Sequence, residues 1–379
     1  MIEMTTRLLE THDNISRLVM KSSRGVEKSL IKKIGVFCGG IYNVTSYYEM
    51  KRLLREDTPD VVHIHSVYPM FSPSVLVACR RAGVPVVMTV HSHILTCPNW
   101  YHLYKGDVCE ECVGGHEYRC VLKNCRDNYP ESIAYALRSS FARVFRLFQD
   151  NVTFFIVLSD FAKGKLLEAG FHEGQIVIVP NGTSIPEVLT DPADGEYIAF
   201  AGRLSLEKGI DTLLSAVSES PQLQVRIAGD GPLFAELRAR APVNVKLEGM
   251  FNHDELMNFY RKSRFVVVPS ICFEQFGIVA IEAMSLGLPV IAARVGGLPE
   301  VVDHGVTGLL FEPGNAEDLE EKIQLLWENP ELCKQMGKQG REKVIRQYTQ
   351  DTYYNKLMEV YYKAIKMVQK RNNNSTKAH

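Results

Sequence analysis

The sequence predicts an α/β fold made of two parallel-sheet domains. The chain has 379 residues, which is more than one compact domain usually contains. Its second half alternates short, continuous apolar runs with helical patterns as far as Arg346, and continuous apolar strands are typical of a parallel sheet covered by helices on both faces. The stretch from Thr183 to Glu196 is rich in Pro and Asp and lacks apolar periodicity, so we place the domain boundary there.

The first domain, residues 1–183, shows a similar alternation, interrupted by a cysteine-rich loop at residues 92–128. The predicted strands are Val61–His65, Pro85–Val90, Thr153–Leu158 and Ile176–Val179. The predicted helices are Pro73–Ala82, Glu131–Phe148 and Phe161–Glu168. Each of these helices lies between two strands, which is the order that parallel strands require.

The composition excludes several classes of protein. The 43 Lys and Arg residues nearly balance 44 Asp and Glu residues, giving a net charge of −1, so no overall basic charge indicates nucleic-acid binding. We find no signal segment and no apolar run near the roughly 18 residues of a membrane-spanning helix, and we therefore expect a cytoplasmic protein. The 9 cysteines, an odd number in a long chain, do not indicate a secreted disulfide scaffold.

Two cations follow the first strand of the second domain, residues 196–346. The strand Tyr197–Ala201 ends in Gly202 and Arg203, and Lys208 follows on the loop that leads into the next helix. Cations at a helix start are unfavourable unless an anion neutralises them. A planar guanidinium and a mobile ammonium on one loop suit a diphosphate, although both could also be ordinary surface charges.

Two carboxylates form the second candidate group. The strand Arg264–Ser270 is followed by Glu274 in a loop, and Glu282 lies about two turns into the apolar helix that begins near Gly277. Burying Glu282 would be costly without a ligand or partner, which favours a functional role over the alternative of a solvated helix face. Eight helical positions correspond to roughly 12 Å, so the two acids are too far apart to flank one glycosidic bond.

In this order and spacing, these features resemble glycosyltransferase family 4, the group 1 retaining nucleotide-sugar transferases. The resemblance extends from about Asp60 to the last helix. It implies the GT-B fold, in which two Rossmann-like domains face each other across a cleft. It also implies that the final helix, residues 351–368, packs back on the first domain, while we expect the polar tail at 370–379 to be disordered. The matching segments are Ala201–Arg203, Lys208–Gly209, Ala228–Pro232, Pro269–Ser270, Glu274 with Glu282, Gly287–Val290 and Gly296–Glu300.

The same resemblance assigns roles in donor binding. Glu274 would contact the hydroxyls of the donor sugar, and Glu282 the hydroxyls of the ribose. Arg203 and Lys208, helped by the backbone N–H groups of the first helical turn, would stabilise charge on the leaving diphosphate. The further donor-binding residues that it implies are Gly202, Gly229, Asp230, Gly249, Met250, Phe276, Gly277 and Ile278.

His91 is the candidate catalytic residue of the first domain. It follows the strand Pro85–Val90, and ligands bind at the carboxyl ends of parallel strands. The resemblance places a histidine at this position near the donor sugar. His63 and His65 alternate along a strand and therefore point to the same face, and we interpret them as structural.

The cysteine-rich loop has no counterpart in the general fold. Cys109 and Cys112 have the two-residue spacing of a zinc knuckle, and metal binding is favoured over a disulfide in a cytosolic chain. A structural zinc on Cys97, Cys109, Cys112 and Cys125 is one interpretation. Free thiols in a surface loop and a redox role are the alternatives.

The beginning of the chain departs from the family pattern, in which a β-strand and a Gly-rich loop come first. Met1–Leu9 is predicted to form the helix that would follow that loop, and Ile15–Met20 the second strand. Ile34–Gly40 could imitate a first strand and loop, but its place matches a helical region better. We therefore expect that the first domain lacks its first strand.

The predicted function is retaining transfer of a hexose from a UDP- or GDP-sugar to a saccharide or lipid-linked glycan acceptor, in polysaccharide biosynthesis. The sequence contains no Asp-x-Asp motif, so we expect metal-independent catalysis without a cofactor. The alternative is a truncated protein that binds nucleotide sugars without turnover. The Arg- and Phe-rich helix at residues 138–148 either contacts the inner face of the membrane or packs in the core with a solvated Arg face.

Overall fold

The computed structural model describes residues 2–20, 40–68 and 70–376 of the chain. The chain forms two compact units. The first unit contains residues 1–102, 109–179 and 354–379, and the second contains residues 103–108 and 180–353. Each unit has its own parallel sheet, which confirms the predicted α/β class.

The first part of the chain alternates helices and strands, and one long connection, which contains the cysteine-rich loop, joins the strands Val86–Thr89 and Phe154–Val157. Its elements are α1 (Ile2–Thr11), α2 (Val44–Asp57), β1 (Val62–Ile64), α3 (Ser74–Arg81), β2 (Val86–Thr89), β3 (Leu103–Tyr104), β4 (Asp107–Val108), α4 (Tyr118–Leu122), α5 (Tyr129–Val144), β5 (Phe154–Val157), α6 (Asp160–Glu168) and β6 (Ile176–Ile178). Side-chain caps begin several helices: Asn43 caps α2, Asn128 caps α5 and Ser159 caps α6.

The sheet of the first unit has the order β1-β2-β5-β6, with every neighbouring pair parallel. The four residues of β2 and the four of β5 are all buried, as a sheet covered on both faces requires. Helix α3 contributes Leu76 and Cys79, both fully buried, to the same core as Phe155 and Val157. This arrangement brings the carboxyl ends of β1 and β2, where His65 and His91 lie, to one edge of the sheet.

The strand predicted at Ile15–Met20 is absent. The segment has no regular structure, and its apolar side chains are exposed, with Ile15 fully exposed and Met20 64% exposed. Four apolar residues in six are a strand pattern, but a strand requires a neighbour to pair with, and none pairs with this segment among the described residues. The predicted helix at the start is present as α1, whereas residues 34–39 of the possible first strand lie outside the described residues.

The second unit repeats strand and helix with greater regularity. Its elements are β7 (Tyr197–Ala201), α7 (Ile210–Val217), β8 (Val225–Ala228), α8 (Phe234–Arg240), β9 (Val245–Gly249), α9 (His253–Arg261), β10 (Ser263–Val268), α10 (Ile278–Ser285), β11 (Val290–Ala293), α11 (Leu298–Val301), β12 (Gly308–Phe311), α12 (Ala316–Glu328) and α13 (Pro330–Gln347), followed by the long helix α14 (Gln350–Thr376).

The second sheet has six strands in the order β12-β11-β10-β7-β8-β9, and all of them are parallel. The chain crosses from β9 back to β10 on the other side of β7, so β7 and β10 are neighbours at the switch point of the sheet. In open α/β sheets, ligands bind outside the carboxyl ends of the strands at such a point. Arg203 follows β7 and Glu274 follows β10, so the fold brings these two sequence motifs together.

Two parts of the chain differ from the expected division. The β3–β4 hairpin, which we assigned to the first domain within the cysteine-rich loop, groups with the second unit. Lys105 and Gly106 at its tip both have positive φ, as a tight hairpin turn requires. The tail expected to be disordered from residue 370 instead continues α14 to Thr376, and residues 377–379 lie outside the described residues.

Candidate active site

Charged and polar side chains meet at the carboxyl ends of β7 and β10 in the second unit. Lys208 donates a hydrogen bond to Oε1 of Glu274, and the Ser270 hydroxyl donates to the same oxygen at 2.7 Å. The carboxylate therefore holds a cation and a hydroxyl at one point. Both charged side chains are largely buried, with 30% of Lys208 and 16% of Glu274 exposed.

The electrostatics of this pair favour the charged lysine. Burial alone would lower the pKa of Lys208, but the charge and hydrogen bond of Glu274 outweigh burial, so the pKa is raised. Lys208 is therefore a permanent cation at neutral pH. Its position next to a helix start means that the pair can present positive charge to an anion while remaining neutral without one.

Arg203 completes the positive side of the site. It is exposed, and within the described residues its guanidinium forms no ion pair or side-chain hydrogen bond. The backbone beside it is fixed, because Gly202 N donates to Ala228 O and Leu204 N donates to Asp230 O, both at 3.0 Å. Arg203 thus projects from a rigid loop with its full set of donors available to a ligand.

Two glycines allow other loops to pack closely against the segment Pro269–Glu274: Gly209 on the Arg203–Lys208 loop, and Gly296 on the loop after β11. Gly209 has φ +65°, and a Cβ atom there would lie 1.8 Å from the carbonyl oxygen of Pro269. A Cβ atom on Gly296, with φ +62°, would lie 2.2 Å from the carbonyl oxygen of Glu274. Any side chain at either position would separate the backbones, so Gly209 allows the close approach of Lys208 to Glu274, and Gly296 allows the loop after β11 to support the Glu274 backbone.

The start of helix α10 lies directly after Glu274 in the chain. Gly277 caps the helix with φ +95°, and Ile278 is its first residue. The first N–H groups of a helix have no partner within the helix and carry partial positive charge. Of the predicted residues here, Phe276 is buried and packs edge-on against Tyr348 at 5.3 Å, so any ligand contact from it would come from the backbone.

Glu282 lies one turn further along the same helix and has a different environment from Glu274. Its carboxylate has no hydrogen-bond or ion-pair partner within the described part of the chain. Burial raises its pKa from the usual value to about 7. The buried hydroxyl of Tyr260 also lacks a hydrogen-bond partner, and burial followed by the charge of Glu282 raises the pKa of this tyrosine. An unpartnered carboxylate of this kind is suited to accept hydrogen bonds from a ligand's hydroxyls.

The remaining predicted donor residues lie at the ends of β8 and β9. Gly229 N donates to Gly249 O at 2.7 Å, which ties the two strand ends together. Asp230 is exposed, and its side chain accepts from the N–H of Gly231. Met250 is 78% exposed just beyond β9. The strand order places β8 and β9 beside β7, on the same edge of the sheet as Arg203.

In the first unit, His91 belongs to a row of three histidines. His91 Nε2 and His65 Nδ1 are 2.8 Å apart, and their rings stack with an angle of 12° between planes. His63 lies next in the row, with its ring centre 4.2 Å from that of His65. His63 is fixed at both ring nitrogens, by Thr89 and by the Tyr361 hydroxyl, each at 2.7 Å. The expectation that His63 and His65 share a face is confirmed.

The histidine row is uncharged at neutral pH. Burial, with the charge of His91 second, lowers the pKa of His65 to about 3, and burial lowers that of His91 to about 4. Two neutral rings share one hydrogen bond at these nitrogens, which leaves Nδ1 of His91 to meet a ligand. His65, interpreted from the sequence as structural, contacts the ring of His91, and the alternation of histidines along the strand did not predict this contact.

The cysteine-rich loop brings five thiols into one part of the first unit. Cys97, Cys112 and Cys120 are buried, whereas Cys109 and Cys125 are partly exposed, and Lys123 lies 3.5 Å from the sulfur of Cys109. Within the described ranges, no three His, Cys, Asp or Glu side chains are placed to share a metal ion. Zinc binding by Cys97, Cys109, Cys112 and Cys125 stays a prediction.

No helix among the described residues combines the length and apolar character that crossing a membrane requires.

Comparison with known proteins agrees with this geometry. Residues 182–343 match the model for "Glycosyl transferases group 1", and residues 26–185 match that for "Glycosyltransferase Family 4". An uncharacterized glycosyltransferase of Methanocaldococcus jannaschii is 29% identical over 310 residues, covering 81% of this chain and 76% of that protein. A D-inositol 3-phosphate glycosyltransferase of Streptomyces bingchenggensis is 38% identical, over 38% of this chain and 36% of its own length.

Solved structures show the same fold. Anabaena HepE in complex with UDP-glucose superposes with a TM-score of 0.66 at 20% identity, covering 94% of this chain and 88% of that one. Sucrose-phosphate synthase from Thermosynechococcus elongatus gives a TM-score of 0.64 at 22% identity, over 92% and 81% of the two chains. The sequence matches, which together span residues 26–343, and the fold show that this chain is a glycosyltransferase of group 1, family 4, with the GT-B fold.

Proposed function

We propose that this glycosyltransferase moves a hexose from a UDP- or GDP-sugar to a saccharide or lipid-linked glycan acceptor, with retention at the anomeric carbon. The observation that carries the proposal is the contact of Lys208 with Glu274, beside the unpaired Arg203 and the start of α10. That group offers cations to a diphosphate and a carboxylate to a sugar in one place. The binding of UDP and UDP-glucose named for HepE favours UDP as the nucleotide.

When the donor binds, its diphosphate would replace Glu274 as the ion-pair partner of Lys208. Without a donor, Glu274 neutralises the lysine. A diphosphate bound by Arg203, Lys208 and the N–H groups of Gly277 and Ile278 would compete for that charge and release Glu274 to accept hydrogen bonds from the sugar hydroxyls. The same donors then stabilise the negative charge that develops on the phosphate as its bond to the sugar breaks.

Transfer itself makes one bond and breaks one. The acceptor oxygen bonds to the anomeric carbon, the bond from that carbon to the donor phosphate breaks, and the departing phosphate takes the acceptor's proton. In this scheme the side chains do not form a covalent intermediate. Glu274 positions the sugar, Glu282 binds the ribose, and the neutral His91 contacts the sugar through Nδ1.

Catalysis is proposed to proceed without a metal ion. Arg203, Lys208 and the positive end of α10 supply the charge that a divalent ion would otherwise provide. The expected result is that EDTA leaves the initial rate of sugar transfer unchanged, and that added Mg²⁺ or Mn²⁺ does not raise it. A rate that falls in EDTA and returns with one of these ions would contradict metal independence.

Nucleotide release from UDP-, GDP- and ADP-sugars, with thermal unfolding measured on the same samples, tests the proposed function. A nucleotide sugar that raises the melting temperature and is also hydrolysed or transferred identifies the donor class. Stabilisation without release, in the presence of mixed glycan acceptors, would instead support a protein that only binds nucleotide sugars. If none of the three nucleotide sugars stabilises the protein and none releases its nucleotide, the proposal is refuted.

We further propose that the first unit touches an anionic membrane surface. Helix α5 exposes apolar side chains at helical spacing, namely Ile133 (43%), Leu137 (52%) and Val144 (63%), with Phe145 (60%) directly after it. The exposed Arg146 follows them and is suited to lipid phosphates. Sedimentation with vesicles of anionic lipid should retain the wild-type protein, and Leu137→Glu should release it. Equal retention of both would contradict the contact.

A further inference from the structure

Arg138 is a buried cation that lacks a polar partner in the part of the chain that the structure describes. It lies in the middle of α5, and only 7% of its surface is exposed. Its Nε and Nη2 atoms are buried and have no hydrogen-bond acceptor. Within the described residues, it forms no ion pair with any Asp or Glu. Arginines are rarely buried in this way, because an unpaired charge is strongly disfavoured away from water.

The other arginines of this region have partners. Arg143, on the same helix, donates to both oxygens of Glu117, at 2.6 and 3.1 Å. Arg146, just beyond the helix, donates to Asp150 at 3.1 Å. The missing partner of Arg138 is therefore not a general property of this part of the chain.

Aromatic rings surround the Arg138 guanidinium. Its central carbon lies 4.2 Å from the ring centre of Tyr68, 4.4 Å from that of Tyr135 and 5.2 Å from that of Trp100. Ring faces attract a cation placed above them, but they do not accept the N–H groups in its plane. Burial lowers the pKa of Arg138, and the nearby cation Arg126 lowers it further. The rings hold the cation without satisfying its hydrogen bonds.

The two unsatisfied nitrogens form one edge of the guanidinium. Nε–H and the outer Nη2–H point in the same direction, and this edge of arginine binds two oxygens of a carboxylate or phosphate at once. The indole Nε1 of Trp100 is also buried without an acceptor. The Trp100 backbone has φ +76°, which is unusual for a bulky residue, and strained conformations of this kind cluster at functional sites.

We propose that Arg138, together with the indole N–H of Trp100, binds a phosphate or carboxylate group of the molecule that the first unit receives. In the proposed reaction this molecule is the acceptor, so that identification rests on the proposed function, whereas the anion site itself does not. The edge is closed to water in this structure. Of the three rings around the guanidinium, those of Tyr135 and Trp100 are only partly buried, so an anion would reach the edge by displacing one of them.

The chain offers a reporter for this site. It contains two tryptophans, and Trp327 lies on α12 of the second unit, packed against Arg264. In a Trp327→Phe background, fluorescence arises from Trp100 alone, so anions that bind at Arg203 and Lys208 in the second unit do not contribute directly. Inorganic phosphate and glucuronate are titrated separately, with KCl at matched ionic strength as the reference. The two anions distinguish a phosphate from a carboxylate.

We expect a saturable change in Trp100 fluorescence with at least one anion and none with KCl. Arg138→Met should abolish it, and Arg138→Lys should weaken binding by about tenfold or more, since lysine keeps the charge but lacks the two-donor edge. The matched control Arg52→Gln removes an exposed arginine of the first unit, which pairs with Glu56 on its own helix, and should bind as the parent does. If the Arg138→Met variant does not fold, the Arg138→Lys variant still tests the anion site.

A parent that shows no saturable change with either anion, or an Arg138→Lys variant that binds with the parent's dissociation constant, would overturn the site. The anion site and the proposed transferase function are refuted by different results. Nucleotide release without anion binding at Trp100 refutes only the anion site, whereas anion binding without nucleotide release refutes only the transfer.

Discussion

At the scale of single residues, the contact between Lys208 and Glu274 makes the strongest prediction. Lys208→Ala removes a cation from a site where both partners are largely buried, and it leaves Glu274 with an uncompensated charge. We expect the affinity for the donor nucleotide and kcat to fall together, by about tenfold or more each, which corresponds to about 1.4 kcal/mol or more. Calorimetric titration with UDP and steady-state kinetics measure the two effects.

A matched control for Lys208 is Lys334→Ala. Lys334 also forms an ion pair in the second unit, with Asp191 at 3.1 Å, but both partners are well exposed and distant in sequence from the charged loops. Exposed pairs contribute little, so nucleotide affinity and kcat should stay at wild-type values. Unchanged kinetics in Lys208→Ala, or equal losses in both variants, would remove the phosphate role of Lys208.

Glu282 makes a prediction about pH. Because its pKa is raised to about 7 when folded, the folded protein binds more protons than the unfolded chain between about pH 4.5 and 7. Stability should therefore fall as the pH rises through this window, by at most about 3 kcal/mol, and remain low above it. Glu282→Gln should lose this dependence. Urea unfolding of both proteins at pH 5 and pH 8 measures the difference, and equal slopes with pH would contradict the shift.

The same group should couple pH to nucleotide binding. A carboxylate accepts hydrogen bonds from ribose hydroxyls more strongly when ionised, so UDP affinity should rise as the pH passes about 7. In Glu282→Gln the affinity should be weaker and independent of pH in this range. A pH profile that is the same in both proteins would indicate that Glu282 does not contact the ribose.

At the scale of elements, the close approach of two loops depends on Gly209. A Cβ atom there would overlap the carbonyl oxygen of Pro269 at 1.8 Å, and the backbone has positive φ. Gly209→Ala should therefore push Lys208 away from Glu274, lower the free energy of unfolding by about 2 kcal/mol or more, and abolish UDP binding. Thermal unfolding with and without UDP measures both consequences.

Gly164 is the control for this substitution. It lies inside helix α6, and a Cβ atom there would have no neighbour within 4 Å. Gly164→Ala should leave UDP binding intact and stabilise the protein by about 0.5–1 kcal/mol, because alanine favours helix. If Gly209→Ala behaves in the same way as Gly164→Ala, the two loops do not need their close contact.

The elements also show how much of the fold the sequence could predict. Continuous apolar runs such as Thr153–Leu158 and Tyr197–Ala201 are buried on both faces, so pattern alone identified them as strands. Ile15–Met20 has a similar pattern but no strand to pair with, and pairing is a long-range property that a local pattern does not contain. The same limit hid the burial of Arg138, whose aromatic neighbours Tyr68 and Trp100 come from distant parts of the chain.

The candidate site was predictable to the extent that it follows strand ends. Arg203 and Glu274 were found because ligands bind where parallel strands end, and the strand order makes β7 and β10 neighbours. The direct contact of Lys208 with Glu274 was not predictable, because 66 residues separate them and their loops meet only through the close approach at Gly209. The contact of His65 with His91 likewise depends on the pairing of β1 with β2.

At the scale of the whole molecule, most of the last helix belongs to the first unit, although it comes at the end of the chain. Helix α14 follows the second unit in sequence, yet its residues from Tyr354 onward belong to the first unit. It buries Leu357, Val360 and Ala364 at helical spacing, and the Tyr361 hydroxyl bonds to His63 at 2.7 Å. The first unit is therefore complete only after the second has been synthesised.

Truncation tests this dependence. A chain that ends at Gln350 loses the buried stripe of α14, and burying two large apolar side chains contributes about 1.5–3 kcal/mol each, so the first unit should lose at least about 3 kcal/mol of stability. The second unit keeps its own six-stranded sheet. Hydrogen exchange should therefore accelerate in β1, β2 and β5 while β7, β8 and β10 stay protected.

Two controls separate the contribution of the buried side chains of α14 from the effect of shortening the chain and from the single hydrogen bond of Tyr361 to His63. A chain that ends at Lys370 keeps every buried residue of α14 and should exchange as the full chain does. Tyr361→Phe removes only the hydrogen bond to His63 and should lower the stability of the first unit by about 0.5–1.5 kcal/mol, with faster exchange near β1.

If truncation at Gln350 accelerates exchange equally in both sheets, the two units unfold together and α14 stabilises the molecule as a whole. If it changes neither, the first unit does not depend on α14, and the contact of Tyr361 with His63 contributes nothing to its stability.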